Sequence, residues 1–298
     1  MNENINKTQY KFVCLIPTFK PQEYWESVDK GFDLAKADFD QYNVSIDKMY
    51  FDQYNVKSFI QASDDVLTCS PDAVLLAPVF KEETISFLAK LTSQNIPFSF
   101  IDSMIPDTNF LTYYGQNSFQ SGYLAAKLLL DSMTEKTEIM VVRTKRNGTE
   151  ANQTISRYNG YLQYIKDNNL TDYIININVE FNENDEDFNN KLLAKTLATH
   201  PQIKGAITFN SKVYRLATNM PSNIRVVGYD ILPLNVQYLK MGVIHCLIAQ
   251  HPEKQAYLTV RDMCRELILN QKIKKINYMP IDILFKENIE DYINFLNY

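Results

Sequence analysis

Short apolar runs alternate with amphipathic stretches along this whole chain, and that alternation restricts the fold more than any single motif. Runs at 12–16, 45–50, 73–77, 97–101 and 111–114 read as strands, and the stretches at 24–40, 56–68 and 82–94 between them read as helices. In the first helix the inner stripe is Val28, Phe32, Ala35 and Phe39, at three- and four-residue spacing. Gly115 reads as the break that closes one strand before a helix at 119–133. A second series follows, with strands at 138–142, 173–178, 205–209, 225–229, 243–249 and 281–284. Its helices fall at 155–167, 187–199, 213–217, 233–241, 252–269 and 287–296. Strands that alternate with helices build parallel sheets covered on both faces. About a dozen strands exceed what one open sheet usually holds, and 298 residues suit two lobes. The expected class is therefore α/β, two doubly wound parallel-sheet lobes with a ligand cleft between them.

Charge and motif content narrow the function classes. With 30 basic against 35 acidic residues the net charge is −5, and no Lys/Arg stripe forms. The chain by itself is thus a poor match for gripping nucleic acid. Cys14, Cys69, Cys246 and Cys264 lie far apart, three of them in apolar runs, and read as buried free thiols. His200, His245 and His251 form no metal-ligand spacing. Nucleotide fingerprints, nucleophile elbows and catalytic spacings are missing, so no cofactor, no metal and no enzyme activity is expected. Asn147-Gly148-Thr149 matches a glycosylation acceptor at chance level in a chain this rich in asparagine. The first residues, MNENINKTQYKF, hold no apolar signal core, and no run reaches the length of a membrane span. A cytoplasmic protein with no membrane contact is the expectation.

Candidate ligand contacts come from polar and aromatic residues at strand ends, because ligands in open α/β sheets sit beyond the carboxyl ends of the strands. Asp230 ends the run 225–229, and Gln250 ends the run 243–249. A carboxylate and an amide so placed suit a neutral ligand rich in hydroxyls. Tyr24 and Trp25 open the first helix, where flat rings can stack on a sugar or a base; the plain alternative is that they cap the core. Asp102 and Asn210 each end a strand, with a solvated turn as the alternative. Arg157 starts RYNGYLQYI, whose Gly160 lets the helix pack closely on the sheet, and its fixed fork of donors suits hydroxyl recognition.

These stretches also carry a resemblance. AVLLAPVF (73–80), IPFSFIDSMIPDTNFLTYYGQNSFQSGYLAAKLL (96–129), RYNGYLQYI (157–165), RVVGYDILP (225–233) and KMGVIHCLIAQHPEKQAYLTV (240–260) occur in this order. Together they resemble the periplasmic-binding-protein type I fold, and within it the effector-binding core of LacI-type (LacI/GalR) transcriptional regulators. The resemblance spans residues 10–292. It implies a Rossmann-like pair of lobes joined by three crossovers, 10–114 with 250–278 and 115–249 with 279–298. The crossovers would fall near 114–117, 248–250 and 278–281. It implies ligand contacts from Tyr24, Trp25, Asp102, Arg157, Asn210, Asp230 and Gln250, a small-molecule effector that is a sugar or related metabolite, and a homodimer paired through the first lobe. Where relatives often carry an acidic residue at the start of the second lobe's first helix, this chain has Gln116-Asn117; asparagine still caps a helix. DNA would be contacted only through an N-terminal helix-turn-helix ahead of this sequence. The alternative from another class is a periplasmic sugar-binding protein that serves a transporter or a sensor.

Overall fold

The computed structural model describes residues 9–131, 133, 135–145 and 150–296. The Asn147-Gly148-Thr149 match lies outside them. The chain divides into two compact units, one of residues 1–116 with 251–279, the other of 117–250 with 280–298. Gln116, Gln250 and Met279 are thus the last residues before the chain passes from one unit to the other.

Unit 1 begins β1 (Tyr10–Pro17), α1 (Tyr24–Phe39), β2 (Val44–Phe51), α2 (Val56–Thr68) and β3 (Ala73–Leu76). It continues with α3 (Lys81–Ser93), β4 (Phe98–Ile101) and β5 (Tyr113–Gln116). Unit 2 holds α4 (Ser118–Leu130), β6 (Thr137–Lys145), α5 (Asn152–Asp167), β7 (Ile174–Asn182) and α6 (Glu186–Thr199). Then come β8 (Ile203–Thr208), α7 (Tyr214–Ala217), β9 (Arg225–Tyr229), α8 (Pro233–Lys240) and β10 (Ile244–Ala249). The chain returns to unit 1 for α9 (Pro252–Leu267) and β11 (Ile276–Met279), and ends in unit 2 with β12 (Asp282–Leu284) and α10 (Ile289–Leu296).

Each unit has one six-stranded sheet, ordered β2-β1-β3-β4-β5-β11 in unit 1 and β7-β6-β8-β9-β10-β12 in unit 2. Five of those positions repeat the doubly wound order 2-1-3-4-5. All described pairings are parallel except β10 with β12. The central strands are apolar throughout because helices cover both faces: Phe12 to Ile16 in β1 and Ala73 to Leu76 in β3 are fully buried. In α1 the stripe Val28, Phe32 and Ala35 packs with Ala256, Val260 and Met263 of α9. Burial of a side chain such as Phe32 contributes about 1.5–3 kcal/mol. Among the described residues no helix is long and apolar enough to cross a membrane.

Several expectations need correction. Gly115 does not break a strand but lies within β5. A side chain there would meet the Tyr113 phenol at 2.0 Å, so glycine is present for space. Gly160 packs on α4, not on the sheet, since a Cβ there would lie 2.0 Å from the Phe119 carbonyl oxygen. Arg157 does not start its helix: α5 begins at Asn152 and places it in the second turn. The short strand β11 was not expected at all. Asn117 does cap α4, its side-chain oxygen accepting from the Gln120 N–H at 3.0 Å.

Candidate functional site

In unit 2, four of the expected residues gather at the carboxyl ends of β8, β9 and β10. Asp230 follows β9 in the left-handed region, with φ +68°, a conformation aspartate tolerates. Its N–H donates to the Ile248 carbonyl at 2.9 Å. Asn235, fully buried in α8, holds the same turn from behind: its amide donates to the carbonyls of Tyr229 and Asp230 at 3.0 Å and of Ser211 at 2.8 Å. Its oxygen accepts from the Tyr214 N–H at 3.0 Å.

The Asp230 side chain is the end of a buried relay. Gln250 Nε2 donates to Asp230 Oδ2 at 2.7 Å, and Gln250 Oε1 accepts from Arg157 Nη2. Arg157 Nη1 donates to the Phe209 carbonyl at 2.8 Å, and its guanidinium lies 4.1 Å from the Tyr229 ring centroid. Arg157, Asp230 and Gln250 are 4%, 3% and 5% exposed. An amide can face a cation with its oxygen and a carboxylate with its nitrogen in only one way round, so both charges dictate the Gln250 orientation. Burial pushes the Tyr229 hydroxyl up to about 12, with the Arg157 charge acting the other way. Asn210 stands beside the relay, not in it: its Nδ2 donates to Thr144 Oγ1 at 2.8 Å, and its Oδ1 accepts from the Lys212 N–H at 2.8 Å.

In unit 1 the other three expected residues form a smaller group. Tyr24 donates its hydroxyl proton to Asp102 Oδ1 at 2.8 Å. Asp102 follows β4, again at φ +68°, with its N–H on the Tyr114 carbonyl at 3.2 Å. The Tyr113 hydroxyl donates to the Asp102 carbonyl at 3.1 Å. Trp25 meets Tyr24 edge-on, with centroids 5.2 Å apart, and both rings are buried in the core that α1 builds. Asp102 and Asp230 therefore occupy the same place in two copies of one topology. Each follows the fourth strand, has φ +68° and bonds its N–H to the fifth strand.

A family model described as a periplasmic binding protein domain matches residues 12–271. The chain belongs to the periplasmic-binding-protein domain family. Among solved structures, a candidate LacI transcriptional regulator from Bacteroides fragilis is 36% identical with a TM-score of 0.88, covering 96% of this chain and 100% of that one. A glucose-galactose binding protein from Geobacillus stearothermophilus is 19% identical with a TM-score of 0.80, covering 95% and 99%. An ABC transporter solute binding protein from Burkholderia graminis, in complex with D-arabinose, is 18% identical with a TM-score of 0.83, covering 97% and 99%. No curated protein sequence matches.

Sequence reasoning about this periplasmic-binding-protein domain missed the residues that orient the contacts: Tyr229, Asn235, Tyr113 and the Phe209 carbonyl. A signal for Asn235 was present, since asparagine in a first helical turn after Pro233 competes for nearby backbone groups. Nothing local marked the others. The position of Arg157 depends on Gly122 as well, because a Cβ there would sit 1.9 Å from the Arg157 carbonyl oxygen. Gly122 and Gly160 let α4 and α5 cross closely enough to aim the guanidinium at Gln250.

Proposed function

We propose that this chain is the effector-binding and dimerising core of a LacI-type transcriptional regulator, with a neutral sugar or related polyol as effector. The relay Asp230–Gln250–Arg157 is the observation that supports a hydroxyl-rich ligand. Its opposite charges already balance one another through an amide, so a charged ligand would add an uncompensated charge to a buried group. The candidate LacI regulator, similar over its full length, supports a regulator over a transport protein. In this reading Tyr24, Trp25, Asp102, Arg157, Asn210, Asp230 and Gln250 serve one ligand, and binding acts as a switch with no chemical step. The ligand moves the equilibrium between two forms only by its difference in affinity for them. In this reading the two units bind effector and partner copy, not DNA, and the protein works in the cytoplasm.

The second reading, a sugar-binding protein that feeds a transporter or sensor, is favoured by the shared fold of the D-arabinose complex. One titration series tests the ligand class: pentoses, hexoses and disaccharides, D-arabinose and D-galactose included, read by calorimetry and thermal shift. A sugar is expected to bind, and Asp230→Ala to weaken it at least tenfold, the equivalent of one charged hydrogen bond of about 1.5–3 kcal/mol. A panel with no binder, or an Asp230→Ala protein that binds as well as the parent, refutes the sugar site. Operator binding by the full-length gene product, altered by that sugar, separates regulator from transport protein.

A further inference from the structure

The two sheets have four edges, and three are guarded. Edge β2 carries Asp47 and Lys48, with Lys48 paired to Asp29 and Asp33. Edges β11 and β12 are four and three residues long. Charges and shortness are the usual protection against unwanted strand pairing. Edge β7 is not short and carries one charge, which pairs with Lys145 of the neighbouring strand. It is nine residues long, reads IININVEFN, and has Glu180 as its single charge and no proline. Exposed apolar side chains lie in it at Ile175 and beside it at Tyr173 and Phe188. A groove of about 840 Å³ runs along it, lined by Ile177, Phe188, Leu192, Lys195 and others of β7 and α6.

The backbone bonding is specific about which residues face outward. Thr137 N–H donates to the Tyr173 carbonyl and Glu183 N–H to the Lys145 carbonyl, so odd-numbered residues of the strand point at β6. The even-numbered ones point away. The chain finishes both ends of that outward edge itself. Ile174 N–H donates to the Leu170 carbonyl at 2.9 Å. At the other end the buried Asn189 amide makes the two bonds a strand would make, donating to the Asn182 carbonyl at 2.7 Å and accepting the Asn182 N–H at 2.8 Å. In between, the outward N–H and C=O groups of Asn176, Asn178 and Glu180 meet no partner among the described residues.

We infer that a second copy of this chain pairs antiparallel along β7, with Asn178 opposite Asn178 on the two-fold axis. That register exchanges about six backbone hydrogen bonds through residues 176, 178 and 180 of each copy. It sets each Glu180 opposite the Asn176 amide, a donor for its carboxylate. Moving the axis by one residue, to 177 or 179, sets part of these groups against Ile174 or Asn182, which the chain already bonds, and leaves about four hydrogen bonds; moving it by two puts Glu180 opposite Asp172 or opposite Glu180, like charges that destabilise a pair. The register centred on Asn178 thus makes the most bonds with no like charges opposed, and it is self-complementary, as a closed two-fold contact requires. The inference names the partner surface for the dimeric part of the functional reading, on unit 2 where the resemblance implied the first lobe. It uses none of the ligand contacts, so its failure and the failure of the sugar site are distinguishable.

The test uses the chain carrying Cys69→Ser to remove the one cysteine thiol among the described residues that is not buried. Adding Asn178→Cys should give a disulfide-linked dimer on mild oxidation, since directly opposed residues of a bonded pair lie about 5.5 Å apart. Asn184→Cys, past the strand end, should not. In sedimentation at micromolar concentration the parent should be a dimer and Asn178→Pro or Asn178→Lys a monomer with an unchanged melting temperature extrapolated to low concentration. A monomeric parent, a dimer that survives both substitutions, or equal cross-linking at 178 and 184 overturns the inference.

Discussion

Replacing Gln250 by glutamate changes one group of nearly the same shape and tests the buried relay directly. The oxygen that accepts from Arg157 Nη2 is kept. The nitrogen that donates to Asp230 Oδ2 at 2.7 Å becomes a second carboxylate oxygen. A charged hydrogen bond of about 1.5–3 kcal/mol is lost. Two unit charges about 4 Å apart repel by about 4 kcal/mol at an effective dielectric of 20, and the attraction between the introduced carboxylate and Arg157 offsets a similar amount. The net loss near pH 7.5 is therefore about 2–3 kcal/mol, set mainly by the missing donor. Acid should restore it, because a proton shared by the two carboxyls replaces the lost N–H. That proton is bound in the folded state and not in the unfolded one, so the variant's stability falls as pH rises. The gap to the parent should close between pH 7 and pH 5 by up to about 1.4 kcal/mol per pH unit. Urea unfolding of both proteins across pH 5–8 measures this. A variant as stable as the parent at pH 7.5, or a gap that stays constant with pH, would refute the amide orientation and the reasoning built on it.

Three further outcomes follow from the same structure. Gly122→Ala forces a methyl to 1.9 Å from the Arg157 carbonyl oxygen and should cost about 3 kcal/mol in urea unfolding, with weaker binding of the proposed sugar effector as α5 shifts. Asn235→Ala deprives the carbonyls of Tyr229, Asp230 and Ser211 of their donor and should lower stability by about 3 kcal/mol, visible as an earlier urea midpoint at unchanged slope. His245 is held below its ordinary range by burial and then by the neighbouring Arg225, whose Nη2 donates to its Nε2. The unfolded chain therefore takes up that proton first, and the contribution of His245 is complete above about pH 6.5 and is lost as pH falls below it. His245→Gln should flatten the pH 5–7 stability profile; an unchanged slope would exclude His245 as its source.

The sequence by itself determined the layered α/β architecture, because buried apolar runs alternate with one-sided helical stretches almost throughout, β4–β5 and β11–β12 being the exceptions. It also placed Asp102, Asn210, Asp230 and Gln250 at strand ends, since a polar residue that closes an apolar run has few other places to be. What the tertiary structure alone decided concerns partners distant along the chain. Gln250 takes its orientation from Arg157 and Asp230, which lie on different elements and share no local pattern with it. Gly160 looked like a contact with the sheet, but only the crossing of α4 and α5 reveals Phe119 as its neighbour. The segment INYM becomes a strand because β5, far earlier in the chain, offers it an edge, as the bond from the Thr112 hydroxyl to the Lys274 carbonyl, 162 residues apart, illustrates. Local propensity specifies which elements can form; which side chains face one another depends on backbone packing, and no window of sequence contains that.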